Sequence, residues 1–220
     1  MFSPQLYGLI KKEFVLEFRQ KASLGGVLVY VVSTIFISAL SFNKIIDVAT
    51  WNALFWIIFL FSAITICGKS FMKESGGAAL NNYVLYKPLV FFGSKLIYNF
   101  IFLLSISLIT LFFYSWFVGY LKNTNILLFV LVLFLACIGF SAILTLMSAI
   151  ASKAENNYSM MSILSFPILI PVLILVLRLG KQAVDGLDWS VSTDFLLILT
   201  SINAICIVLS LLLFPYLWRA

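Results

Sequence analysis

The side chains that usually carry out chemistry are scarce in this sequence of 220 residues. It has no histidine, which removes the commonest general base and the commonest ligand of transition metals and haem iron. The spacing of Cys67, Cys137 and Cys206 suggests neither a metal site nor a disulfide framework. We therefore predict no catalytic residue, no metal site and no directly bound cofactor. The cysteines are interpreted as small hydrophobic residues in helix packing.

The short motifs of the common enzyme classes are also absent. The phosphate-binding pattern G-x-x-x-x-G-K-[ST] does not occur, so the chain cannot hydrolyse ATP by that route. The patterns G-x-S-x-G, H-E-x-x-H and C-x-x-C are missing as well. The apolar runs hold essentially no charged residues, which disfavours a proton-driven carrier. Energy for any transport would have to come from a partner protein.

A polar stretch at residues 68–95 is the strongest candidate for a functional site. It reads GKSFMKESGGAALNNYVLYKPLVFFGSK and is the longest polar interruption between apolar runs. Residues 74–86 are predicted to form a short helix that ends before Pro88, because proline cannot continue the hydrogen-bond ladder. Leu80 and Val84 would give this helix an apolar face on which a soluble partner docks. The alternative interpretation is a solvated connector without a partner.

The composition places the chain in a membrane. The sequence is 63% hydrophobic and 10% charged, whereas a soluble domain carries about 25% charged residues. The mean hydropathy is +1.14 and the isoelectric point is near 9.3. The basic residues lie in short segments between the apolar runs. We interpret these charges as topology signals and predict no nucleic-acid partner. The fold class is therefore an all-α integral membrane protein.

Six apolar runs approach the ~20 residues that cross a bilayer. The predicted spans are residues 24–42, 51–67, 96–118, 126–150, 160–177 and 195–217. Residues 1–220 then form one transmembrane domain, with a coupling loop at 68–95 and an outer loop at 178–194. The fourth span carries small residues that allow close helix approach, namely Gly139, Ser141, Ala142, Ser148 and Ala149.

Residues 4–21 are predicted to form an amphipathic helix that lies in the membrane interface. Large apolar residues recur at every fourth position, at Leu6, Ile10, Phe14 and Phe18. The segment carries too many charges to cross the bilayer, and its aromatic side is expected to sink among the acyl chains. A cytosolic tail is the alternative.

Two prolines interrupt the fifth span. Pro167 and Pro171 stand four residues apart and break the same helical face twice. Lipid tolerates this where neighbours or water satisfy the freed carbonyl groups. A static kink and a bent or broken helix beside a moving joint are both consistent with this pattern.

The distribution of lysine and arginine predicts the orientation. With the N-terminus inside, six spans return the C-terminus inside. The inner set is then Lys11, Lys12, Arg19, Lys21, Lys69, Lys73, Lys87, Lys95, Lys153 and Arg219. The outer set is Lys44, Lys122, Arg178 and Lys181. The polar stretch at 68–95 is therefore predicted to be cytoplasmic.

Three segments in a fixed order carry a resemblance to a known family. They are GLIKKEFVLEFRQKASLGG, KESGGAALNNYVLYKPLVFFGSKLIYN and SFPILIPVLI. With six spans and an interfacial helix, the chain resembles the ABC-2 type permeases. Within them it resembles the CcmB family, the permease subunits of the haem exporter in cytochrome c maturation. The resemblance covers essentially the whole chain.

The resemblance implies a multi-subunit complex in the bacterial inner membrane, with both termini cytoplasmic. ATP would be hydrolysed on a separate CcmA-like ATPase subunit, with two copies of each chain. A CcmC-like haem-handling membrane protein and a small CcmD-like protein would join the complex. A haem chaperone like CcmE would be an indirect partner, and haem would be carried by the complex.

The resemblance also implies roles for particular residues. The ATPase-coupling residues would be Glu74, Gly76, Gly77, Leu80, Asn81, Tyr83 and Val84. The second contact would come from the interfacial helix at Lys11, Lys12, Glu13, Glu17 and Arg19. Glu13 and Glu17 would face basic residues of the ATPase, and the bend would lie at Pro167 and Pro171.

Two other functions fit the residues. The first is an ABC-2 type permease that exports a lipid, a drug or a polysaccharide, which predicts the same fold and the same docking loop. The second is a membrane scaffold that has no ATPase, for which charge changes in the predicted coupling helix at 74–86 would leave complex formation unchanged.

Overall fold

A computed structural model describes residues 3–19, 21–42, 47–72, 85–119, 124–153 and 158–219. The described residues form helices and connecting turns and contain no strand. The helices are α1 (Ser3–Arg19), α2 (Lys21–Phe42), α3 (Val48–Met72), α4 (Pro88–Phe117), α5 (Ile126–Lys153), α6 (Tyr158–Val184) and α7 (Trp189–Arg219). The predicted all-α fold is confirmed.

Helices α2 to α7 are the six described helices that are long and apolar enough to cross a bilayer. Helices α3 and α4 run in opposite directions, since Trp51 at the start of α3 is hydrogen-bonded to Gly119 just after α4. The same holds for α5 and α6, since Asn125 just before α5 is hydrogen-bonded to Ala183 near the end of α6. We call the end of the bundle that carries α1 the proximal end and the opposite end the distal end. The six predicted spans thus correspond to six membrane-spanning helices.

Helix α5 occupies the centre of the bundle and packs against α3, α4, α6 and α7. Its small residues, from Gly139 to Ala149, are buried. At Gly139 a Cβ atom would overlap the side-chain oxygen of Asn203 on α7. The absence of a side chain lets the two helices approach closely, as expected for helix packing in lipid.

Helix α4 begins earlier than the predicted span, at Pro88 instead of at Leu96. Proline is favoured in the first turn of a helix, where its missing N–H is not needed. The residues that follow pack into the bundle, with Phe91 and Phe92 both buried. The polar stretch between α3 and α4 is therefore shorter than its sequence suggests, and Lys95 lies inside a helix.

Helix α6 extends through part of the predicted outer loop at 178–194. It ends in a Schellman motif, in which Gly186 has φ +72° and its N–H donates to the carbonyl of Ala183. The N–H of Leu187 donates to the carbonyl of Gln182. The helix continues to this point because Ala183 and its neighbours are buried against the bundle.

Helix α6 is continuous through Pro167 and Pro171. Both prolines are exposed on the outer surface of the bundle, whereas Leu169 and Val172 between and beside them are buried. The bend at these two residues remains a prediction.

Candidate functional site

The predicted coupling residues lie outside the part of the chain that the structure describes. They are Glu74, Gly76, Gly77, Leu80, Asn81, Tyr83 and Val84. The structure does describe both ends of the polar stretch, where α3 ends at Met72 and where α4 begins at Pro88. These two ends and the side chains that hold them form the candidate site.

The last turn of α3 is held by a serine from the central helix. A helix terminus leaves carbonyl groups without intrahelical partners, and other groups must satisfy them. Ser148 of α5 donates its hydroxyl to the carbonyl of Gly68 at 3.0 Å. The same hydroxyl accepts a hydrogen bond from the N–H of Phe71 at 3.3 Å. The chain therefore enters the polar stretch from a turn that is fixed to α5.

Lys95 of α4 holds the same turn by charge. Its ammonium group donates to the carbonyl of Ser70 at 2.7 Å and to the Glu13 carboxylate at 3.0 Å. The side chain of Lys95 is 1% exposed, and that of Glu13 is 12% exposed. A buried charge is tolerated when it is paired and hydrogen-bonded, which both contacts provide. A cation near the C-terminus of α3 also suits the helix dipole.

Two aromatic rings complete the surroundings of Lys95. Its ammonium nitrogen lies 5.1 Å from the ring centroid of Phe71 and 5.2 Å from that of Phe91. Tyr86, near the end of the polar stretch, stacks on Phe91 with 6.4 Å between ring centroids. Phe91 also contacts Trp218 near the end of α7 at 5.0 Å. The start of α4 is thus anchored to both α3 and α7.

Asn99 lies one turn beyond Lys95 on the same face of α4. Its amide nitrogen donates to the Ser70 hydroxyl at 3.1 Å and to the Thr145 hydroxyl of α5 at 2.7 Å. Its side-chain oxygen has no hydrogen-bond partner among the described residues. The polar contacts therefore continue from α3 through α4 to the central helix. We call Glu13, Ser70, Lys95, Asn99, Thr145 and Ser148 the proximal network.

Helix α1 packs along α4 beside this network. The rings of Phe14 and Tyr98 meet edge to face with centroids 5.0 Å apart. Leu9 is buried, and Leu6 lies near Gly93. The helix predicted to be amphipathic is therefore attached to the bundle, and Phe18 of the predicted stripe is turned outward.

The five charged residues predicted to contact a partner from α1 divide into two groups. Glu13 and Glu17 face the bundle, where Glu13 pairs with Lys95 and Glu17 lies beside the Tyr98 hydroxyl. The three basic residues, Lys11, Lys12 and Arg19, are exposed. Glu13 was predicted to face a basic residue of an ATPase, whereas the structure pairs it with a lysine of the same chain. The contact of α1 with an ATPase remains a prediction.

A family model described as CcmB protein matches residues 4–216. The chain belongs to the CcmB family. This family provides the permease subunit of the haem exporter in cytochrome c maturation, a subunit that is not itself an ATPase. Together with six helices able to span a membrane, membership makes the chain a multi-pass inner-membrane protein. No curated protein matches the chain.

The distal end of this CcmB-family chain is joined by neutral groups. The Asn52 amide donates to the carbonyl of Leu177 on α6 at 2.8 Å, and its oxygen accepts from the Trp56 indole at 2.9 Å. The Trp51 indole donates to the carbonyl of Gly119 at 3.0 Å. The Tyr114 hydroxyl donates to the carbonyl of Trp51 at 2.9 Å. We call these four bonds the distal clamp.

Sequence reasoning did not find the proximal network. In the CcmB-family sequence, Lys95 looks like a loop lysine at the edge of a polar stretch, and its partner Glu13 is 82 positions away. One signal was present, since Lys95 and Asn99 are spaced for one face of a helix. The described residues hold no group of three metal-binding side chains, and Cys67 and Cys137 are buried free thiols.

Proposed function

We propose that this permease subunit transmits the work of a separate ATPase to haem handling during cytochrome c maturation. The observation that supports this most directly is the Lys95 contact with both Ser70 and Glu13. It joins α1 to the last turn before the polar stretch. The docking surface predicted for the ATPase is thereby linked to α1 within the chain.

In the proposed mechanism, the ATPase docks on the polar stretch between α3 and α4. Closure of the nucleotide-bound ATPase pair displaces the stretch and pushes on the turn held by Ser148 and Lys95. Because Lys95 is paired with Glu13, α1 moves with that turn and does not slide independently. The central helix α5 receives the displacement through Ser148 and Thr145. Pro167 and Pro171 would allow α6 to bend.

The proposed complex contains two copies of this chain and two of a CcmA-like ATPase, together with CcmC-like and CcmD-like membrane proteins. Its outcome is haem export, or release of a haem-loaded chaperone like CcmE. The excess of basic residues at the proximal end favours a cytoplasmic position for that end. The distal turn at residues 185–188 would then face the haem-handling proteins.

The decisive experiment is co-purification in mild detergent after co-expression with the CcmA-like, CcmC-like and CcmD-like subunits. Leu80→Glu places a charge on the predicted docking face. Leu187→Glu makes the same change in the exposed distal turn and is the matched control. Size-exclusion profiles establish that both variants fold. We expect the wild type and Leu187→Glu to retain the ATPase, and Leu80→Glu to lose it. The wild type should also retain haem absorbance.

Each other outcome has a definite meaning. An ATPase recovered without the haem-handling proteins would indicate an exporter of another substrate. Absence of the ATPase from all three preparations, with folded protein in each, would contradict the transporter function and leave a scaffold. Equal recovery of the ATPase with Leu80→Glu and with Leu187→Glu would show that the docking surface lies outside the polar stretch.

A further inference from the structure

The outward surface of α1 carries charges of a single sign. Lys11, Lys12 and Arg19 are all exposed, and none of them forms an ion pair with a described residue. Lys12 and Arg19 are seven positions apart and therefore lie on nearly the same side of the helix. We call these three residues the basic face.

The basic face exists because the acidic residues of α1 are turned away from it. Glu13 is 12% exposed and bonded to Lys95, and Glu17 lies one turn further along the same inward side. The sequence of α1 alone would suggest a helix of mixed charge. In the folded chain, the bundle takes up both carboxylates and leaves a surface with three positive charges.

Exposed apolar side chains lie next to the basic face. Tyr7 is 70% exposed and Phe18 is 65% exposed, and their spacing of eleven positions puts them on one side of the helix. Val15 is exposed beside them. Aromatic rings next to basic groups are typical of a helix at the level of the lipid headgroups, with rings among the acyl chains and cations at the surface.

We propose that the basic face of α1 binds the phosphate groups of anionic phospholipids in the proximal leaflet. The positive charges, the adjoining aromatic rings and the attachment of α1 to the end of a membrane-spanning helix all favour a lipid surface. This inference goes beyond the proposed function and does not rest on it, because it requires only that the bundle is in a bilayer. It gives Lys11, Lys12 and Arg19 a lipid partner in place of the predicted contact with an ATPase. Binding would hold α1 against the membrane while Lys95 holds it against the bundle.

The test measures amide hydrogen exchange of residues 3–19 in the full chain, reconstituted in nanodiscs. One set contains phosphatidylcholine alone, and the other contains an added fraction of phosphatidylglycerol. Wild type is compared with Lys11→Gln/Lys12→Gln/Arg19→Gln and with the charge-conserving Lys11→Arg/Lys12→Arg/Arg19→Lys. Lys181→Gln neutralises an exposed basic residue at the distal end and serves as a further control. Exchange in α5 reports whether each variant is folded.

We expect phosphatidylglycerol to slow exchange in α1 about fivefold or more in the wild type, the charge-conserving variant and Lys181→Gln. The effect should weaken at high salt, because surface charges are screened. It should be absent from the neutralised variant. The proposal would be overturned if phosphatidylglycerol does not slow amide exchange of α1 in the wild type. It would also be overturned if phosphatidylglycerol still slows this exchange in the neutralised variant. Slowing of exchange that requires a co-purified ATPase and does not depend on lipid charge would also overturn the proposal. The basic face would then bind protein.

Discussion

The two ends of the bundle are held together by different physical means. At the distal end, neutral hydrogen bonds join backbone carbonyls to Asn52, Trp51 and Tyr114. The rings around them pack edge to face, with Trp51 and Tyr114 centroids 4.9 Å apart. At the proximal end, a buried ion pair and a chain of amide and hydroxyl contacts join four helices. One of these is α1, which is not among the described helices that are long and apolar enough to cross a bilayer.

We infer from this difference that the distal end anchors the bundle and that the proximal end transmits motion. A shift of the helices would break the ring contacts and the hydrogen bonds of the distal clamp. The distal clamp therefore resists movement of these helices. The proximal network holds a turn that continues directly into the polar stretch, and its strongest contact reaches a surface helix. Substitutions at the distal end are therefore expected to change stability. Substitutions at the proximal end are expected to change stability and coupling to the ATPase together.

The largest effect is expected from Lys95→Glu. It would place two carboxylates together in a buried site, and breaking a buried ion pair costs about 3–5 kcal/mol. Folded protein should fall sharply in fluorescence-detected size-exclusion chromatography. The double variant Glu13→Lys/Lys95→Glu restores opposite charges and should recover part of the loss. Equal loss of folded protein in the single and double variants would show that the contact of Lys95 with Glu13 does not stabilise the fold.

A smaller effect is expected from Gly180→Ala at the distal clamp. A Cβ atom at Gly180 would overlap the Asn52 side chain and lie 2.6 Å from the Trp56 indole nitrogen. Overpacking of this kind costs about 1–3 kcal/mol and should lower the Tm. Gly26→Ala is the control, because a Cβ atom there has open space. If Gly180→Ala keeps the Tm of wild type, the clamp is not rigid.

Tyr114→Phe should have a still smaller effect. It removes the hydrogen bond to the Trp51 carbonyl and keeps the ring, so the loss is about 1 kcal/mol or somewhat more because a buried carbonyl loses its donor. The Tm of purified protein measures it. Tyr216→Phe removes a hydroxyl from an exposed ring and should change nothing. An equal drop in Tm for Tyr114→Phe and Tyr216→Phe would refute the stabilising role of the hydrogen bond from Tyr114 to the Trp51 carbonyl.

Asp47→Ala is expected to have the smallest effect. Asp47 is exposed and caps α3 by accepting the N–H of Thr50 at 3.2 Å. Hydrogen bonds from Thr50 hold the pKa of this carboxyl below its ordinary value of 3.8. Its stabilising contribution is therefore present above that pH and is lost as the pH falls through the lowered pKa.

Melting curves of wild type and Asp47→Ala at several pH values check this. The small Tm difference between the two should be constant near neutral pH and should narrow in acid. A difference that stays the same at all pH values would show that the charge of the cap does not contribute.

The fold was predictable from the sequence because lipid imposes strong rules on it. Hydropathy identified six helices, and the small residues of α5 indicated close helix approach. The proximal network was not predictable, because a lysine is apolar along most of its length and can reach either water or a buried partner. The start of α4 at Pro88 and the inward direction of Glu13 and Glu17 depend on tertiary packing, which no local pattern contains.

The separation of Glu13 and Lys95 along the chain has a consequence for membrane insertion. Glu13 is synthesised 82 residues before its partner, so it must remain hydrated while α2 and α3 enter the bilayer. Lys95 then meets the Glu13 carboxylate at the membrane surface, and the two charges become buried together. Docking of α1 is thus a late step of biogenesis, and Glu13 should react with a water-soluble carbodiimide in a nascent chain stalled before α4 and resist it afterwards.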